Sequence, residues 1–155
     1  MNTPGSQDWL DSITEDIIDP EQRIIDPHHH LWRHPGNEYV VENLHADTGS
    51  GHNIVKTVFV ECHSEYLKDG PVHLRPLGET RFVAEQATES AESRGAEISG
   101  IVAHADLTLG DELVEVLAGH EVSGQGLFRG IRHAGACATH PKELFIPGGA
   151  PKGLY

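Results

Sequence analysis

Short segments rich in apolar and β-branched residues recur along the chain. Their apolar character is nearly continuous rather than strictly alternating, which is typical of strands buried on both faces of a parallel sheet. The pattern therefore predicts four β-strands, at residues 23–26, 54–61, 98–103 and 127–131.

The stretches between these strands have the spacing of amphipathic helices. In the clearest of them, Phe82, Val83 and Ala87 share one side, and acidic residues occupy most of another. We predict helices at residues 41–47, 78–93 and 111–119. This alternation of strand and helix indicates an α/β fold, built from βα units around a parallel sheet.

The spacing of the strands is close to that of a barrel. They recur about every 35 residues, whereas a (β/α)8 barrel of ~250 residues has ~31 residues per unit. We therefore expect a partial (β/α)8 TIM barrel of about four βα units in residues 23–155, truncated after the fourth strand. Residues 1–22 are predicted to be an N-terminal extension, with a short helix near Trp9, Leu10 and Ile13 packed against the outside of the fold.

The charge balance argues against two classes of partner. The 155 residues include 11 Lys and Arg and 24 Asp and Glu, which gives a formal net charge of -13 at pH 7. Nucleic acid and anionic membrane surfaces are bound mainly through Lys and Arg, so we expect neither as a partner. The two cysteines form no CxxC pattern, and the sequence contains no signal peptide and no apolar run long enough for a bilayer; the expected location is the cytoplasm.

Histidines follow the first predicted strand in a pattern that suits a metal ion. Residues two apart in a strand point to the same face, so His28 and His30 can reach one ion, while His29 points away. We predict His28 and His30 as metal ligands. A solvated cluster of histidines on a surface loop is the alternative.

Ionisable residues also follow the other three predicted strands, at the carboxyl-terminal edge where parallel α/β proteins carry out their chemistry. The predicted substrate-binding residues are Glu61, His104, Asp106 and Arg132. The guanidinium of Arg132 is suited to clamp a substrate carboxylate, which favours an anionic small-molecule substrate. Pairing of Arg132 with a neighbouring acid remains open, as does hydrogen bonding of His104 and Asp106 within their own loops.

Five blocks of sequence, taken together and in order, resemble a known family. They are IIDPHHHLW at 24–32, VFVEC at 58–62, GETRFV at 78–83, GIVAHADL at 100–107 and FRGIRH at 128–133. Over residues 8 to 133 the chain resembles the amidohydrolase-related family (amidohydrolase 2), whose members are metal-dependent hydrolases with a TIM-barrel fold and include sugar-lactone and pyrone-dicarboxylate lactonases.

The resemblance implies a (β/α)8 fold in which His28 and His30 bind a divalent metal, Zn²⁺ or Mn²⁺. It implies hydrolysis of a lactone or a related carboxylic ester or amide. In the family, histidines from later strands and an aspartate at the end of the eighth strand complete the site. Those residues have no counterparts here, so the catalytic residue is unknown and we expect little turnover from the chain alone. Some lactonases of the family work without a tightly held metal, so metal independence stays open.

Two other functions stay open. One is a non-catalytic, His-rich domain that binds metal or docks on a partner, and the other is a decarboxylase of the same superfamily. Half a barrel would expose two strand edges and an apolar face, so we also expect self-association or assembly with a complementary C-terminal half.

Overall fold

The structure is a computed structural model that describes residues 6–135. Four parallel strands form its main sheet in the order β1-β4-β5-β6. These strands are β1 (Arg23–His29), β4 (Asn53–Val60), β5 (Glu97–His104) and β6 (Phe128–Arg132). All four predicted strands are present, and the parallel α/β architecture is confirmed.

Three helices connect the strands of this sheet. They are α2 (Val41–Thr48), α3 (Leu77–Glu92) and α4 (Leu113–Ser123), with 3₁₀ segments at Val72–Leu74 and Leu107–Glu112. Helix α3 packs on β5 and lies between α2 and α4. The apolar side predicted for it is buried, and Phe82, Val83 and Ala87 join Phe59 and Ile101 in the hydrophobic core. The last helix begins two residues later than predicted and is longer at its C-terminal end.

Strand β1 is longer than predicted and includes the Asp26-Pro27-His28-His29 segment. Its register against β4 shifts between Asp26 and His29. Proline has no N–H to donate, which explains why the ladder is interrupted at Pro27 and why an edge strand tolerates it. Beyond this shift, His29 is buried against the ring of Phe59, with 5.9 Å between the ring centroids.

A small antiparallel hairpin that the sequence analysis did not predict follows β1. It pairs β2 (Trp32–His34) with β3 (Asn37–Tyr39), and the rings of Trp32 and Tyr39 stack with centroids 5.0 Å apart. The turn contains Pro35 and Gly36, whose φ of 75° favours glycine. The Pro-Gly dipeptide was the available signal for this turn.

The N-terminal segment differs from its prediction. Helix α1 (Gln7–Leu10) has only four residues, and Ile13 lies beyond it. Trp9, Leu10 and Ile13 are all exposed, so the expected packing against the fold is absent from the described structure. Without a buried apolar face, a single turn of helix gains little stability.

None of the helices between residues 6 and 135 has the length and apolar character needed to cross a lipid bilayer. The expected domain of residues 23–155 continues beyond the described part of the chain. Cys137, one of the two cysteines, also lies outside the described residues.

Phe59 is the largest fully buried side chain of the core. Phe59→Ala is expected to lower the free energy of unfolding by about 3–5 kcal/mol, because it removes buried apolar contacts and leaves a cavity. Urea denaturation measures the change. The control Ile18→Ala removes a fully exposed side chain and should change stability by less than ~0.5 kcal/mol. Equal effects of the two substitutions would contradict this core.

Candidate metal centre

The carboxyl-terminal ends of β4, β5 and β6 bring the candidate site together. Glu61 directly follows β4, and its N–H donates to the carbonyl of Val102 in β5 at 2.8 Å. His104 is the last residue of β5, and it is paired with Arg132 of β6 on the opposite edge of that strand. The parallel arrangement thus collects residues that are far apart in sequence at one edge of the sheet.

One group of three ligand-type side chains within the described structure lies close enough to share a metal ion. Glu61, His63 and His104 each offer one ligand atom, and these atoms all lie within 4.8 Å of one another. Two imidazoles and a carboxylate form a ligand set that catalytic zinc sites use. The sequence pattern predicts Glu61 and His104 as substrate-binding residues and gives no role to His63.

Arg132 fixes the orientation of Glu61. Its Nε donates to Oε1 of Glu61 at 2.7 Å, and an Nη2 hydrogen bond of 2.7 Å reaches the backbone carbonyl of the same residue. The other carboxylate oxygen, Oε2, is buried and has no hydrogen-bond partner among the described residues, although it lies 3.0 Å from His63 Nε2. Oε2 therefore keeps its lone pairs available for a cation.

His104 is held as a neutral imidazole. Burial lowers its pKa below the usual value, although the Glu61 carboxylate opposes the shift. Its Nδ1 atom is buried and has no hydrogen-bond partner within residues 6–135. A metal ligand must be the unprotonated ring, so the environment favours the form that can bind.

A second histidine, on α4, fixes the end of β5. His120 on α4 is fully buried, and its Nε2 donates to the backbone carbonyl of His104 at 3.0 Å. A carbonyl only accepts, so the other ring nitrogen, Nδ1, accepts the hydroxyl hydrogen bond of Thr80 at 2.8 Å. This chain of contacts ties α3 and α4 to the strand end that carries His104.

The loop that carries His63, here called the 61–66 loop, has an unusual backbone. His63 and Glu65 have φ values of 65° and 51°, in the left-handed region that non-glycine residues seldom adopt. Such a conformation costs free energy and persists only where surrounding contacts enforce it. The shortest backbone contacts that hold residues 62–65 of this loop come from the beginning of α3.

Glu79, in the first turn of α3, binds the 61–66 loop through its carboxylate. Oε1 accepts hydrogen bonds from the backbone N–H of Cys62 at 3.1 Å and of Ser64 at 2.7 Å. The helix also approaches so closely at Gly78 that a Cβ there would lie 2.3 Å from the carbonyl oxygen of Glu65. The bare backbone of Gly78 and the carboxylate of Glu79 together place His63 beside Glu61.

His28 and His30 lie together at the end of β1. Their ring centroids are 4.9 Å apart, and His30 Nδ1 donates to the carbonyl of Val60 at 2.7 Å, which leaves Nε2 as the acceptor nitrogen. His28 is exposed and His30 is half-buried. Within residues 6–135 they do not belong to a group of three adjacent ligand-type side chains. Their predicted role as metal ligands stays a prediction.

Asp106 lies at the rim of the site and makes mostly local contacts. Its Oδ1 accepts hydrogen bonds from the backbone N–H and the hydroxyl of Thr108 at 2.8 and 2.6 Å. These bonds hold the pKa of the Asp106 carboxyl below its usual value. His133 Nδ1 lies 3.7 Å from Asp106 Oδ1. The same ring nitrogen accepts a hydrogen bond from the backbone N–H of Leu107 at 3.0 Å.

Cys62 is unsuited to nucleophilic catalysis. Burial and the nearby Glu79 carboxylate raise the pKa of its thiol to about 12. The thiol donates to the carbonyl of Leu31 at 3.2 Å. A nucleophilic cysteine needs the thiolate, and this environment disfavours it.

The ionisation of Glu79 should appear in the stability of the protein. Burial raises its pKa to about 7 from an ordinary value of 4.5, and its Oε2 atom has no hydrogen-bond partner among the described residues. Between these two pH values the native state holds a proton that the unfolded chain has lost. Stability therefore falls as the pH rises through this window, by on the order of 3 kcal/mol at most.

Glu79→Gln cannot ionise and keeps an acceptor oxygen for the two backbone N–H groups. Denaturation at a series of pH values should show that its stability relative to the wild type rises between pH 4.5 and 7. Glu89→Gln, on the exposed side of the same helix, is the control. A constant difference between Glu79→Gln and the wild type across this window would contradict the burial of an ionisable Glu79.

Comparison of the chain with protein-family models, with curated proteins and with solved structures gave no match. The interpretation of the site therefore depends on the geometry of its residues.

Proposed function

We propose that Glu61, His63 and His104 bind a divalent metal ion, Zn²⁺ or Mn²⁺, and that this centre serves a hydrolase of the amidohydrolase type. The proposed reaction is metal-assisted hydrolysis of a lactone or a related carboxylic ester or amide. The observation that carries the proposal is the buried, unpartnered Oε2 of Glu61 beside two imidazoles, with all three ligand atoms within 4.8 Å.

The donor set suits an open, catalytic type of site. Two histidines and one carboxylate leave coordination positions for water and substrate, whereas structural zinc sites use four protein ligands. A divalent ion bound in this way polarises a carbonyl and activates water for attack at neutral pH. The chain itself contributes the orientation of Glu61 through Arg132 and the neutral state of His104.

The proposal extends the four-stranded sheet to a (β/α)8 TIM barrel. The sheet provides half of the eight strands, and β1 and β6 are its two edges in the described structure. The resemblance to the amidohydrolase-related family places further ligands and the acid–base aspartate on later strands. Under this proposal His28 and His30 lie at the same edge as the metal centre, and a complementary C-terminal half or a second copy of the chain covers the open strand edges.

Metal binding tests the centre directly. His63→Ala and His104→Ala are each expected to weaken Zn²⁺ binding at least tenfold, because each removes one of three ligands. Isothermal titration calorimetry with Zn²⁺ and with Mn²⁺ measures the affinities. The matched control is His52→Ala, which removes an exposed histidine in the loop before β4.

The paired variant His28→Ala/His30→Ala separates this centre from the site expected at the first strand. A small effect of the pair, beside a large effect of His63→Ala, supports the proposed ligands. Equal, weak contributions from all the histidines, His52 included, would instead favour a non-catalytic, His-rich metal-binding domain and would overturn the proposed centre.

The hydrolase function requires that the bound ion accept oxygen ligands from a substrate. In Co²⁺-loaded protein, addition of a carboxylated lactone or of its hydroxy-acid product should shift the visible d–d bands of the metal. A spectrum that neither compound changes would show a closed site and would contradict the hydrolase function, even if the metal binds.

A further inference from the structure

A cleft of about 440 Å³ opens directly beside the metal centre. One wall comes from the connection between β4 and α3, with Tyr66, His73 and Arg75, and the other from the end of β5, with His104 and Asp106. His104 belongs to both the cleft and the metal centre. A ligand in the cleft would therefore reach the proposed metal ion.

Two strong donors in the cleft have little to bind within the described structure. The Nε atom of Arg75 makes one long hydrogen bond, of 3.4 Å, to the carbonyl of Gly70. Its two terminal nitrogens have no hydrogen bond or ion pair with any residue between 6 and 135. The hydroxyl of Tyr66 is buried and also lacks a partner there. Buried polar groups are nearly always satisfied, so the unpaired hydroxyl of Tyr66, beside the available donors of Arg75, indicates a ligand.

Arg132, by contrast, is already occupied. From the sequence we predict it as the clamp for a substrate carboxylate, but its Nε and Nη2 atoms bind Glu61. Arg75 is half-buried, and its fork of donors is available. The geometry thus moves the expected anion contact from the strand end to the cleft.

The surroundings favour a ligand of a single negative charge. Asp106 lies on the far wall, and Glu115 Oε2 lies 3.6 Å from His73 Nε2, which limits the positive potential of the cleft. Val72, Pro76 and Leu109 add apolar surface. A planar carboxylate on an apolar body fits the guanidinium fork and this lining better than a doubly charged phosphate. Burial raises the pKa of Tyr66, so its hydroxyl stays a donor.

We propose that this cleft binds the carboxylate group of a small organic acid, with Arg75 as the anion ligand and Tyr66 as a second donor. The carboxylate is a part of the substrate that does not react. The interpretation of the cleft as a substrate site rests on the proposed function. Binding of the organic acid itself needs no metal.

Benzoate and its neutral isostere benzamide are suitable probes for metal-free protein. Calorimetric titration should show benzoate binding at least tenfold more tightly than benzamide. Arg75→Gln should weaken benzoate binding at least tenfold and leave the affinity for Zn²⁺ within twofold of the wild type. Tyr66→Phe should weaken benzoate binding about threefold or more. Arg81→Gln, an exposed arginine on α3, is the control and should change neither affinity.

If Arg75→Gln does not fold, as judged by circular dichroism, Arg75→Lys replaces it. That variant keeps the charge but loses the planar fork, and it should still weaken benzoate binding severalfold. Equal affinity for benzoate and benzamide, or unchanged benzoate binding in the Arg75 variant, would overturn the inference. His63→Ala separates the two proposals, because it should weaken Zn²⁺ binding at least tenfold and change benzoate binding by less than about threefold.

Discussion

The candidate metal centre depends on one contact, between the beginning of α3 and the 61–66 loop. There the buried carboxylate of Glu79 accepts two backbone N–H groups of the loop, and Gly78 allows the helix backbone to touch the carbonyl of Glu65. Without these contacts, the left-handed backbone of His63 would be held, among the described residues, only by the weaker hydrogen bonds that link Cys62 to Leu31 and Ser64 to Arg33. The loop would relax, and His63 would move away from Glu61 and His104. A helix terminus therefore sets the geometry of a site to which it contributes no ligand.

The acidic character of the protein makes the few cations at the site important. Arg132 neutralises Glu61 and fixes one of its oxygens, so that the other oxygen faces the two imidazoles. Arg75 supplies positive charge in the cleft that His104 also lines. With a formal charge of -13, the chain attracts a divalent cation readily and accepts an anion only where such an arginine compensates the field. The two proposed ligands are thus complementary, since a bound cation would also favour an adjacent carboxylate.

The sequence predicted the sheet and its helices well because their burial follows simple periods. Continuous apolar runs marked the four strands, and the spacing of Phe82, Val83 and Ala87 marked α3. The ionisable residues that follow each predicted strand also indicated which edge of the sheet carries the candidate site. The role of His63 could not be predicted in the same way, since it depends on a positive φ and on a contact with Glu79, sixteen positions along the chain. The partner of Arg132 lies at the end of β4, beyond the intervening strand β5, and was equally beyond a local pattern. The available signal for the loop was the Gly78-Glu79 pair at the start of a helix.

The most direct test of this account is the position of the metal. Crystals of the protein grown with Zn²⁺ should give an anomalous difference peak, at the zinc absorption edge, within bonding distance of Glu61, His63 and His104. The expected Zn–N distances are ~2.0–2.1 Å. A peak bound by His28 and His30 alone, or a peak at the surface remote from Glu61, would contradict the proposed centre.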